Sequence, residues 1–69
     1  MKFTVSRDGH VRTALSTPRG FGHRGVVALV AVTFDDATEH LLRLAPHADQ
    51  DAGVEQWLLG EGYHIIEKG

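Results

Sequence analysis

Apolar and polar residues alternate along the start of the chain. Phe3 and Val5 stand between Lys2, Thr4 and Ser6, and Val11, Thr13 and Leu15 stand between Arg12, Ala14 and Ser16. Alternation of period two marks strands with one buried face, and Asp8-Gly9 between the two runs is a hairpin signal. A tight turn at Asp8-Gly9 alone sets Val5 opposite Arg12 and Phe3 opposite Ala14, which divides the apolar residues between two faces. A longer loop, Arg7-Asp8-Gly9, sets Val5 opposite Val11 and Phe3 opposite Thr13. It gathers Phe3, Val5, Val11, Thr13 and Leu15 on one face. A buried face specifies register strongly, so the pattern predicts the longer loop, with Gly9 at positive φ as a bulge glycine. Lys2, His10 and Arg12 then share the outer face.

The segment 17–25 reads as a loop, punctuated by Pro18, Gly20, Gly22 and Gly25. The segment 26–34 is the clearest strand, rich in valine. Val26, Ala28, Val30, Val32 and Phe34 lie on one side of it, and Val27, Leu29, Ala31 and Thr33 on the other. A strand apolar on both sides is a central strand covered on both faces. The segment 35–45 fits two readings. Asp36 and Glu39 are placed as a helix N-cap and its N3 partner, with Glu39 and Arg43 spaced as a helical ion pair. The favoured reading is a hairpin turn at Asp35-Asp36-Ala37-Thr38 that leads into a strand, with Leu29 beside Leu44 and Ala31 beside Leu42. The segment 47–60 is a helix capped by Asp49 or Asp51, with Val54, Trp57 and Leu58 as its apolar stripe and Gly60 or Gly62 at its end. The segment 63–67 is a last strand, with Ile65 and Ile66 on opposite faces.

The expected fold is therefore α+β: a small antiparallel sheet of four or five strands in the order β-β-β-β-α-β, all in one domain spanning residues 1–69. A helix of about 13 residues is about 20 Å long, enough to cover one face of a sheet and not two. Either the sheet curls into a partial barrel or a second subunit covers the open face. The second solution makes the chain a homo-oligomer and makes Val26, Ala28, Val30, Val32 and Phe34 candidate interface residues.

Composition narrows the picture further. The chain has 69 residues and no cysteine, so neither disulfides nor thiolate zinc sites support so small a core, and a reducing, cytoplasmic setting is expected. No targeting segment or membrane span is expected either. The net charge of −2 conceals an asymmetry. Lys2, Arg7, Arg12, Arg19 and Arg24 face Asp8 alone in residues 1–25, while acids dominate the rest. Either the basic half forms an anion-binding face or the two halves neutralise each other within the fold.

Candidate chemistry is sparse. His10, His23, His40, His47 and His64 contain no metal-ligand spacing, so neither metal nor cofactor is expected. Asp8 and His10 flank an exposed turn, which gives a catalytic pair no shelter from water. No catalytic residue stands out, and a small enzyme or enzyme subunit is the least supported class. The loop is more informative. Arg19 and Arg24 suit phosphates, Gly22 allows close backbone approach, and Phe21 and His23 suit base stacking. With Arg12 they form a candidate nucleic-acid or phosphate site. Arg19-Gly20-Phe21-Gly22 resembles the opening of the RNP1 motif of RNA-recognition domains. The likeness ends there, because His23 replaces an aromatic residue, Arg24 replaces valine, and the strand-rich order departs from that family's βαββαβ plan. The leading expectation is a small non-enzymatic binding, regulatory or accessory protein that contacts an unidentified protein partner and itself.

Overall fold

A computed structural model describes residues 1–69. Five strands form one antiparallel sheet: β1 (Lys2–Arg7), β2 (His10–Gly22), β3 (Val27–Phe34), β4 (Glu39–Leu44) and β5 (His64–Lys68). Their spatial order is β4-β3-β2-β1-β5. A single helix, α1 (Gln50–Gly60), links β4 at one edge to β5 at the other. That connection must cross the sheet on one side, and it therefore covers one face only. The sheet stays open rather than curling into a partial barrel, because β4 and β5 lie at opposite edges and do not pair.

The β1–β2 hairpin adopts the register that the apolar pattern disfavours. Arg7 pairs with His10, Val5 with Arg12 and Phe3 with Ala14. Asp8 and Gly9 both have positive φ, 54° and 78°, as a type I′ turn requires, and the twist of that turn matches the twist of the strands. Turn geometry thus outweighs the gathering of apolar residues. Gly9 has the expected positive φ, but in a tight turn without a bulge. Phe3, Val5 and Ala14 face α1 and are fully buried, whereas Val11 and Leu15 face away and are exposed. Arg12 and His10 consequently lie on the face opposite Lys2, not beside it.

The expected loop at 17–25 is mostly strand. β2 runs on through Pro18 to Gly22, and only His23–Gly25 leaves it, as one 3-10 turn. Pro18 pairs with Val30 and Phe21 with Ala28, and the register shifts between them. This is a bulge in which Arg19 and Gly20 both oppose Leu29, with Gly20 at a φ of 86°. The loop-like composition reflects the needs of that bulge.

The β3–β4 hairpin forms at the expected turn. Its register differs by one residue from the expected one: Ala28 pairs with Leu44, Val30 with Leu42 and Ala31 with Leu41. The Ala37 amide donates to the Phe34 carbonyl at 3.0 Å, and the Phe34 amide donates to the Thr38 carbonyl at 2.9 Å. Ala37 closes this loop with a φ of 69°. The shift places Leu42 and Leu44 under α1 and leaves Glu39, Leu41 and Arg43 on the other face.

The Asp49 carboxylate caps α1, accepting from the amides of Asp51 and Ala52 at 3.0 and 3.2 Å. At the far end the Gly62 amide donates to Leu59 and the Tyr63 amide to Leu58, both at 3.0 Å, a Schellman closure that turns the chain into β5. Val54 and Leu58 pack on Phe3, Val5, Ala14, Val30, Val32, Phe34, Leu42 and Tyr63 to form the core, with Trp57 and Ile65 at its border. The helix lies so close to β4 that a Cβ on Gly53 would sit 2.8 Å from Leu44 Cδ1. No helix is long and apolar enough to cross a membrane.

Candidate functional site

The basic residues singled out in the sequence do not converge. Arg12 lies near the start of β2 and Arg24 beyond its end, separated by roughly 30 Å of strand at about 3.3 Å per residue. Arg12 Nη1 lies 3.2 Å from an Asp36 carboxylate oxygen and 3.5 Å from one of Asp35. Arg19 Nη2 lies 3.2 Å from Glu39 Oε2. Arg7 donates to the Glu61 carbonyl at 2.9 Å and stacks 4.2 Å over the Tyr63 ring. The arginines of the basic half are thus largely occupied by the acidic half and by the end of α1. Phe21, His23 and Arg24 remain together at the tip of the β2–β3 hairpin, with Gly22 beside them. Phe21 is 63% exposed, and Arg24 has no ion-pair partner.

The candidate interface residues on β3 are occupied within the chain. Ala28, Val30, Val32 and Phe34 are buried beneath α1, and Val26 is exposed just before β3 begins. Phe34 stacks on Tyr63 with ring centroids 5.3 Å apart, next to the small side chain of Ala14, its partner on β2. His40 and Trp57 extend this cluster toward solvent, 5.1 Å apart. The sheet face that α1 leaves open lies on the other side.

That other side carries Val11, Thr13, Leu15 and Thr17 from β2, Val27, Leu29, Ala31 and Thr33 from β3, and Glu39, Leu41 and Arg43 from β4. Strand pairing aligns Leu15, Thr33 and Glu39 in one row and Thr17, Ala31 and Leu41 in the next. Leu15 is 47% exposed and Leu41 56%. No element of the chain covers them. The Arg19–Glu39 ion pair spans β3 on this face, and Ala31, in the row that it crosses, is fully buried. Lys2 and Glu67 border the face on the β1 and β5 side. The result is a partly apolar face bordered by charge and crossed over β3 by the Arg19–Glu39 ion pair.

The sequence hid this surface because it assigned Val11 and Leu15 to the core. The Asp-Gly turn signal, given more weight than the apolar count, would have exposed them. The chain encloses no pocket, and its histidines and carboxylates form no cluster of three. Asp36 has a displaced acidity. The Thr38 hydroxyl and amide, and then Arg12, hold its carboxyl below the ordinary 3.8. Comparison with protein families, with curated proteins and with solved structures finds no match to this chain.

Proposed function

We propose that this chain is a small non-enzymatic binding or regulatory protein. It acts by protein–protein contact, associates with itself, and receives its partner on the sheet face that α1 leaves uncovered. The observation that carries this reading is the one-sided cover: α1 buries one face, while Leu15, Leu29 and Leu41 stand on the other among the charges of Lys2, Arg19, Glu39 and Arg43. Apolar side chains left exposed together on a sheet face and flanked by polar groups mark interaction sites.

Two measurements test it. Light scattering of the purified chain is expected to give an oligomer at micromolar concentration. Copurification from the native cell extract is expected to retain a partner on the wild-type chain and to lose it with Leu15→Lys, at unchanged circular dichroism. A monomer at high micromolar concentration removes self-association, and identical capture by both chains removes the open face as the partner's site.

The hairpin tip supports a narrower second reading, a phosphate or nucleic-acid contact through Phe21, Gly22, His23 and Arg24. Its favouring observation is the exposed aromatic ring beside an arginine free of ion pairs. Heparin retention that falls steeply with salt is its expected signature, because phosphate contacts release counterions. A flat salt response removes it.

A further inference from the structure

Each strand that ends the sheet presents unpaired backbone groups, and proteins commonly blunt such edges with proline, bulges or covering elements. Three edge stretches exist here. The second half of β2 extends past β1 and is interrupted by Pro18 and by the bulge at Arg19-Gly20. β5 has a register break opposite Thr4 and Val5. β4 alone is regular, pairing with β3 without interruption from Glu39 to Leu44. We infer that β4 is the self-association edge, and that two copies pair β4 to β4 antiparallel about a two-fold axis at Leu41. This rests on the self-association part of the function proposed above and assigns its surface.

The backbone fits first. The Phe34 amide donates to the Thr38 carbonyl, and hydrogen-bonding direction alternates along an antiparallel strand. His40, Leu42 and Leu44 therefore bond toward β3, and Glu39, Leu41 and Arg43 point their amides and carbonyls outward. A two-fold axis at Leu41 pairs Leu41 with its symmetry mate, Glu39 with the mate's Arg43 and Arg43 with the mate's Glu39. Every outward group then meets another outward group.

The side chains fit the same register. Residues directly opposite share a face, so Leu41, which is 56% exposed, meets its own copy on the uncovered face. Each Glu39, held 3.2 Å from Arg19 of its own chain, also meets the mate's Arg43 on either side of that contact. The neighbouring registers that satisfy the backbone set Glu39 or Arg43 opposite Leu41 and lose the charge match. An isologous contact requires such self-complementarity, and six residues supply it here. The dimer joins two open faces into one ten-stranded surface, with the paired leucines at its middle.

Because the chain has no cysteine, Leu41→Cys introduces a unique thiol. Opposed residues of a bonded antiparallel pair lie about 5.5 Å apart at Cα, within disulfide reach. Mild oxidation is expected to convert Leu41→Cys to a covalent dimer on a non-reducing gel and to leave Ile66→Cys, on β5, monomeric. Arg43→Glu alone and Glu39→Arg alone are each expected to weaken dimerisation about tenfold, by setting like charges opposite one another. The double variant restores it. If the wild-type chain associates but Leu41→Cys fails to cross-link and neither charge reversal matters, the β4 assignment is overturned and self-association stands through another surface. If the wild-type chain is monomeric, both fall.

Discussion

His23 and Arg24 have φ values of 50° and 57°, followed by Gly25 at 87°. Side chains in the left-handed region carry a cost of roughly 1–2 kcal/mol per residue, and neither His23 nor Arg24 is buried in return. Arg24→Gly is expected to raise the unfolding free energy by about 1 kcal/mol, measured by urea denaturation. If the tip binds anions, the same change abolishes salt-dependent heparin retention. A loss of stability would mean that the arginine side chain carries a contact. At this scale the sequence was partly legible. The positive φ of Gly9 follows from residue type, and the importance of Val30, Val32, Val54 and Leu58 follows from apolar spacing. The left-handed conformation of two successive residues, His23 and Arg24, does not, because histidine visits that region only occasionally and arginine has no preference for it.

Among the elements, those defined by capping and composition were legible and those defined by register were not. Asp49 and the Val54, Trp57 and Leu58 stripe specify α1, and the valines specify β3. Both hairpin registers depend on loop geometry. A one-residue slip in pairing exchanges the two faces of a strand, which is why Val11 and Leu15 changed from expected core to surface. The β3–β4 turn carries a titratable device. Hydrogen bonds from Thr38, with the charge of Arg12, hold the folded Asp36 carboxyl below 3.8. A depressed folded pKa adds stability that is fully present above the unfolded value and is lost as pH falls through the folded one. Acid is therefore expected to weaken this hairpin. Asp36→Asn keeps an oxygen to accept from the Thr38 amide but removes the charge. Its urea midpoint should drop less between neutral pH and strong acid than that of the wild-type chain. Equal drops in the two would show that Asp36 takes no part in the acid response.

For the whole molecule, the governing fact is that one helix crosses one face. A chain of this length buries only about 60% of the surface it exposes when unfolded, so any association with a second copy adds noticeably to its stability. If folded chains dimerise through β4 and unfolded chains do not, mass action ties the melting temperature to concentration. Each tenfold increase contributes about 1.4 kcal/mol per mole of dimer, or about 0.7 kcal/mol per chain. For a domain of this size, about 1 kcal/mol moves the melting temperature by roughly 4–8 °C, so a tenfold increase should raise it by about 3–6 °C. Arg43→Glu should flatten that dependence at low concentration, while Glu39→Arg combined with Arg43→Glu should recover it. A melting temperature independent of concentration in the wild-type chain would show that the core beneath α1 supports the fold alone. The leucines of the uncovered face would then be free for a partner other than the chain itself.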